Sequence, residues 1–135
     1  MALVTWDMSY SVAVKVCDAE HQKLFHLFNT LHEAMKTGQH NTVIIGIVHE
    51  LEKYTQTHFI AEEDLLQKTQ YPKLDEHRWQ HRKFVDQVKR FRDDLEKDGM
   101  ANSISVLIFL KDWLAEHIKH TDRMYSEHLN SRGID

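Results

Sequence analysis

Eleven histidines in 135 residues make imidazole the first chemistry to weigh in this chain. At that frequency roughly one His pair at i, i+4 is expected by chance, and the chain has one such pair, His77 and His81. Spacing alone therefore carries little. Position carries more, because His21, His58, His77, His81 and His117 each continue the apolar stripe of a helix-patterned segment. A single inward histidine is usually a core polar group with a hydrogen-bond partner. Five in one narrow bundle could not all find backbone partners, since helical carbonyls are already used. A shared metal site removes that difficulty.

The carboxylates can be sorted by the same geometry. An i, i+4 step on a helix leaves a net rotation of about 40°, so Glu62 projects to the same side as His58, whereas Glu63 lies about 140° away. Glu62 is thus the inward acid, and Glu63 is expected to be solvated. His77 and His81 share the i, i+4 relation. Asp122 stands five residues after His117, off the face of a regular helix, and would have to reach around or follow a local deformation such as a π-bulge. Five imidazoles and two carboxylates exceed the four ligands of a tetrahedral zinc. Two octahedral-type ions bridged by the carboxylates would use them all, and imidazole with carboxylate suits iron among other metals. His26, His32, His40, His49, His120 and His128 are read as ordinary histidines; His32, eleven residues after His21, lies nearest the inner face.

Four helices must hold these groups. Residues 1–17 read as an extended arm, because the alternation in "YSVAVKV" has no partner strand. A first helix over about 18–37 starts from Asp18 as cap, carries Leu24, Phe25, Phe28, Leu31 and Met35 on one stripe, and stops at Gly38. A second over about 41–69 is capped by Asn41 and runs through Ile44, Ile47, Val48 and Leu51 to His58, Glu62 and Leu65. Pro72 opens a third over about 72–97, with His77, His81, Phe84, Val88, Phe91 and Leu95 inward. After the stop "KDGMANS", Asn102 or Ser103 caps a fourth over about 103–128, with Val106, Leu107, Leu110, Trp113, Leu114 and His117 inward. Short loops between four such helices imply an all-α, up-down-up-down antiparallel four-helix bundle forming one domain over 1–135.

Composition excludes several alternatives. One proline and four glycines disfavour a turn-rich β fold. A formal net charge of −4 argues against a nucleic-acid surface, which needs clustered Lys and Arg in excess. No window is apolar for long enough to span a bilayer, and the start "MALVTWDMSY" has no signal-peptide pattern. The lone Cys17 cannot form an internal disulfide, so a cytoplasmic setting is expected. No helix shows a clear second apolar face, which predicts a monomer.

Taken together, "DAEHQ" around His21, "HFIAEE" at His58, "HRWQH" at His77 and "WLAEHIKHTD" from Trp113 to Asp122 resemble the hemerythrins, specifically the single-domain bacteriohemerythrins. The resemblance runs from "TWDMSYSV" to about Tyr125. It implies reversible O2 binding at two non-haem iron ions joined by an oxo or hydroxo bridge. By that resemblance His77, His81 and His117 hold one iron, His21 and His58 the other, and Glu62 and Asp122 bridge them. It also implies an O2 pocket lined by Leu24, Phe59, Trp113, Leu114 and Ile118, all large and apolar. The function expected is O2 storage, delivery to an O2-consuming enzyme, or scavenging, with no catalytic turnover. The alternatives are an O2-sensing module and a di-iron oxidase or peroxidase. Ferritin-like oxidase sites, however, use more carboxylates and Glu-x-x-His spacing.

Overall fold

The computed structural model describes residues 2–98 and 103–135, Asp98 by its backbone alone. Helices α1 (Lys15–Lys36), α2 (Asn41–Lys68), α3 (Leu74–Asp98) and α4 (Ser103–Glu116) are followed without a break by a π-helical turn, His117–Thr121, a 3-10 turn, Asp122–Tyr125, and a short α5, Ser126–Ser131. Helix α1 packs on α2 and α4, α2 on α3, and α3 on α4. With consecutive helices antiparallel, that ring of contacts is the up-down-up-down bundle. Among the described residues no helix is long and apolar enough to cross a membrane.

Several element boundaries depart from the sequence expectation. Helix α1 starts at Lys15, not 18, and Asp18 is no cap: its carboxylate accepts from the Ser11 hydroxyl at 2.6 Å and the Val12 N–H at 2.8 Å. That anchors the arm, which contains a 3-10 turn at Met8–Tyr10 and is tied to α1 by a paired hydrogen bond between Val4 and the Asn29 amide, 2.9 and 2.8 Å. The cap of α2 is His40, whose Nδ1 accepts from the Thr42 N–H, with Asn41 already helical. Pro72 stands ahead of α3 rather than in its first turn. Of the two caps expected for the last helix, Asn102 lies outside the described residues and Ser103 is the first helical residue. At the end of α1, Gly38 adopts φ +69° and the Gln39 N–H returns to the Ala34 carbonyl at 3.0 Å, the left-handed stop expected there.

Two apolar clusters fill the bundle, and they bracket the polar residues of interest. The larger holds Leu24, Phe28, Leu31, Ile44, Val48, Leu51, Phe59, Phe84, Val88, Phe91, Leu107, Leu110 and Leu114. The smaller holds Val12, Val14, Cys17, Leu66, Tyr71, Tyr125 and Leu129. Along the chain five of the candidate ligands fall between the two, His21 between Cys17 and Leu24, Glu62 between Phe59 and Leu66, His77 and His81 between Tyr71 and Phe84, and Asp122 between Ile118 and Tyr125, while His58 and His117 are flanked by the larger cluster. The arm supplies Val12 and Val14 to the smaller cluster and so caps the polar layer from one end.

Helix α4 does not follow its expected stripe throughout. Val106, placed inward from the sequence, is exposed, as are Ile104, Ile108 and Phe109. Apolar side chains are thus exposed on both flanks of the inner stripe of this helix, and the ground for expecting a monomer does not hold for it.

Candidate metal centre

All seven residues singled out as ligands are at most 4% exposed, and the bundle brings them together. One group that could hold an ion comprises Glu62, His77, His81, His117 and Asp122; a second comprises His21, His58 and Glu62. The two carboxylates divide their oxygens between the groups. Glu62 Oε1 lies 2.8 Å from His77 Nε2 and 3.1 Å from His81 Nε2, while Oε2 faces His21 and His58, each Nε2 at 3.5 Å. Asp122 Oδ1 lies 3.0 Å from Nε2 of both His77 and His117, and Oδ2 lies 3.2 Å from His21 Nε2. Three imidazoles thus face one pair of oxygens and two face the other.

The i+5 spacing of His117 and Asp122 is resolved by the backbone. The His117–Thr121 segment is a π-turn, and the Asp122 N–H bonds to the carbonyls of His117 and Ile118. A π-turn places residue i+5 where a regular helix places i+4, so the aspartate returns to the inner face.

A metal fits this donor set on the structure's own evidence. Nε2 of His21, His58, His81 and His117 and Oδ1 of Asp122 are buried and make no hydrogen bond. Orphaned buried polar atoms are costly and rare in native proteins, and here they converge with lone pairs available to a cation. Electrostatics agree. Burial opposes ionisation of Glu62, but the imidazoles of His21, His58, His77 and His81 around it hold its carboxyl well below the usual range. Burial likewise opposes charging of His58 and His77, yet Glu20 and Glu62 beside His58, and Asp122 and Glu62 beside His77, push both up to about 10. The two buried carboxylates favour positive charge in the layer.

The outer nitrogens of three imidazoles are held as well. His58 Nδ1 lies 3.0 Å from Glu20, His117 Nδ1 3.0 Å from Gln80, and His81 Nδ1 2.8 Å from Glu63. Glu63 therefore corrects the expectation of a solvated acid: it points across the α2–α3 interface and also pairs with Arg78 at 3.4 Å. Turning away from His58 on its own helix is what turns it toward His81 on the next. Such partners fix tautomer and ring orientation and strengthen the ligand. Replacing Glu63 with Ala is expected to weaken loading of the three-histidine position roughly tenfold, measured by competition with a metallochromic chelator.

Tyr125 was also missed from sequence. It is fully buried and its hydroxyl donates to Glu62 Oε2 at 2.7 Å. A signal existed, because Tyr125 lies three residues after Asp122 and so on a neighbouring face of the same helix. Glu20 and Gln80 had none, since each partners a histidine on another helix. Beside Tyr125, burial and the nearby Glu62 charge push the Cys17 thiol up to about 12, which keeps it protonated.

Of the expected pocket residues, Leu24, Phe59, Leu114 and Ile118 are buried and Trp113 is half-buried. Phe59 stacks on His81 with centroids 3.7 Å apart and planes within 2°, and Trp113 stacks on His117 at 4.9 Å and 11°. The six histidines read as ordinary stay out of the cluster. His40 caps α2, His49 pairs with Glu96, His120 pairs with Glu116, His128 bonds to Thr69, His26 is exposed and His32 half-buried.

Comparisons with known proteins converge on one group. The Hemerythrin HHE cation binding domain matches residues 12–129. A bacteriohemerythrin of Clostridium acetobutylicum is 31% identical over 127 residues, spanning 91% of this chain and 98% of the relative. A myohemerythrin of Riftia pachyptila is 33% identical over 124 residues, 92% of each chain. A crystal structure of wild-type hemerythrin superposes with a TM-score of 0.88 at 28% identity, covering 95% of this chain and 98% of that one.

Proposed function

The chain belongs to the hemerythrin family, and from that premise we propose that it binds O2 reversibly at a non-haem di-iron centre. His77, His81 and His117 would hold one iron, His21 and His58 the other, and Glu62 and Asp122 would bridge them. The observation that carries this reading is the division of both carboxylates' oxygens between a three-imidazole and a two-imidazole set. Iron held by these residues would supply the electrons for reversible O2 binding.

The protein's own contribution is unequal ligation and exclusion of water. The His21 and His58 side has one imidazole fewer, so it is the side with coordination to spare. Leu24, one turn beyond His21, is buried on that side, while Phe59 and Trp113 stack on His81 and His117 of the other set; with Leu114 and Ile118 they make up the proposed pocket. An apolar lining keeps out the water and protons that would displace bound oxygen or promote oxidation of the site. The polar groups nearest the ligands, Glu20, Glu63, Gln80 and Tyr125, are each hydrogen-bonded to a ligand. None is left as a free acid or base, which supports carriage of O2 over turnover. Storage, delivery to an O2-consuming enzyme and scavenging are all served by such a site, and the free Cys17 supports a reducing, cytoplasmic setting.

Purified protein reconstituted with iron tests the reading. Two irons per chain are expected, with a visible absorption that appears under O2 and vanishes when O2 is withdrawn, through repeated cycles. Permanent oxidation on first exposure, or consumption of O2 with an added reductant at enzymatic rates, would defeat it.

A further inference from the structure

The hydrogen bond from Tyr125 breaks the symmetry of the bridging carboxylate. Glu62 has one oxygen toward His77 and His81 and one toward His21 and His58, and the Tyr125 hydroxyl donates only to the second. Among the described residues Asp122 has no comparable hydroxyl donor on the oxygen facing His21: the contact of Oδ2 is with that imidazole, at 3.2 Å. Tyr125 is held firmly enough to act in one direction. It is wholly buried, packed with Tyr71 at 6.5 Å and His77 at 5.8 Å between ring centroids, in the apolar cluster that closes the end of the polar layer. The π-turn that returns Asp122 to the inner face also sets the phase of Tyr125, three residues on.

A hydrogen bond to a carboxylate oxygen withdraws electron density from it and makes it a poorer donor to a cation. We propose that Tyr125 is a positioning residue that weakens Glu62 Oε2 as a donor to the two-histidine side, so that the iron there is held in favour of its ferrous form relative to its neighbour. The proposal rests on the di-iron reading above and adds to it a residue that tunes one iron and not the other. Its consequence is a centre that gives its electrons to O2 less readily for good, as a reversible carrier requires.

The test is the ferrous to ferric ratio of the iron-loaded protein at a fixed anaerobic potential, followed by Mössbauer spectroscopy so that the two irons are read separately. Tyr125→Phe keeps the ring and removes the donor. The ratio is expected to fall roughly tenfold, with altered parameters for one iron of the pair. Incorporation of 3-fluorotyrosine at 125, a stronger donor of nearly the same shape, is expected to move the ratio the opposite way. A Tyr125→Phe protein with two irons bound, an unchanged ratio and unchanged spectra for both irons overturns the proposal, as does a change shared equally by the two. Should the phenylalanine variant fail to fold, the fluorotyrosine protein decides, since a filling role alone would leave its ratio unmoved. Wild-type protein that fails to take up two irons would instead remove the di-iron reading itself.

Discussion

Glu62→Ala is expected to abolish iron binding at both positions, taking the metal content from two per chain to below one. Each oxygen of this carboxylate serves a different imidazole set: Oε1 faces His77 and His81, Oε2 faces His21 and His58. Asp122 already contacts both sets, and the nearby acids Glu20 and Glu63 are committed to His58 and His81. Loss of an outer hydrogen-bond partner typically costs 10–100-fold in metal affinity, so loss of a shared direct ligand is expected to exceed about 100-fold. Glu62→Gln separates charge from shape. It can still accept from Tyr125, but it offers no negative charge to either ion, and should fail nearly as completely. Iron analysis after reconstitution and gel filtration reads both variants. Retention of two irons by Glu62→Ala would show that Glu62 is not the bridge.

Phe84→Ala is expected to produce the largest loss of stability, about 3–5 kcal/mol, typical of deleting a buried aromatic ring whose site cannot collapse. Phe84 is 1% exposed and stacks on Trp113 at 4.7 Å, with Phe59 at 6.0 Å. Those two rings in turn stack on His117 and His81. The cavity therefore opens directly behind the rings that orient two ligands of the three-histidine set. In a domain of this size the melting temperature should drop by on the order of 10 °C. Iron would recover part of that loss, because a ligand that binds only the folded state stabilises it by mass action. Thermal unfolding followed by circular dichroism, with and without iron, measures both. A drop of under about 1 kcal/mol would mean that the neighbours close over the gap. The iron-loaded variant should also oxidise faster in air, since a loosened Phe59 and Trp113 admit water.

The inward residues were legible because helical phase is a local property. His58 with Glu62 and His77 with His81 share a face whatever the helix packs against, and the apolar residues one and two turns away identify that face as the buried one. Asp122 was not legible in this way. Its phase depends on the π-turn at His117–Thr121, and a π-turn and an α-helical turn differ by one residue that no periodicity announces. The family motif placed Asp122 in the centre, and the backbone shows how it arrives there. Val106 failed for the opposite reason: its spacing suited the inner stripe, yet it stands at the edge of that stripe and is left exposed.

Within each helix, then, sequence by itself determined which histidines and which glutamate point inward, because 3.6 residues per turn and apolar burial act over a few neighbouring positions. Only the tertiary structure decided what lies between helices. It turned Glu63 from a solvent-facing acid into the partner of His81, gave His58 and His117 their outer contacts in Glu20 and Gln80, and brought Tyr125 onto one oxygen of Glu62. Those pairings join residues 18 to 63 positions apart in the chain only where two helices cross, and the angle and depth of each crossing are set by how the whole core packs.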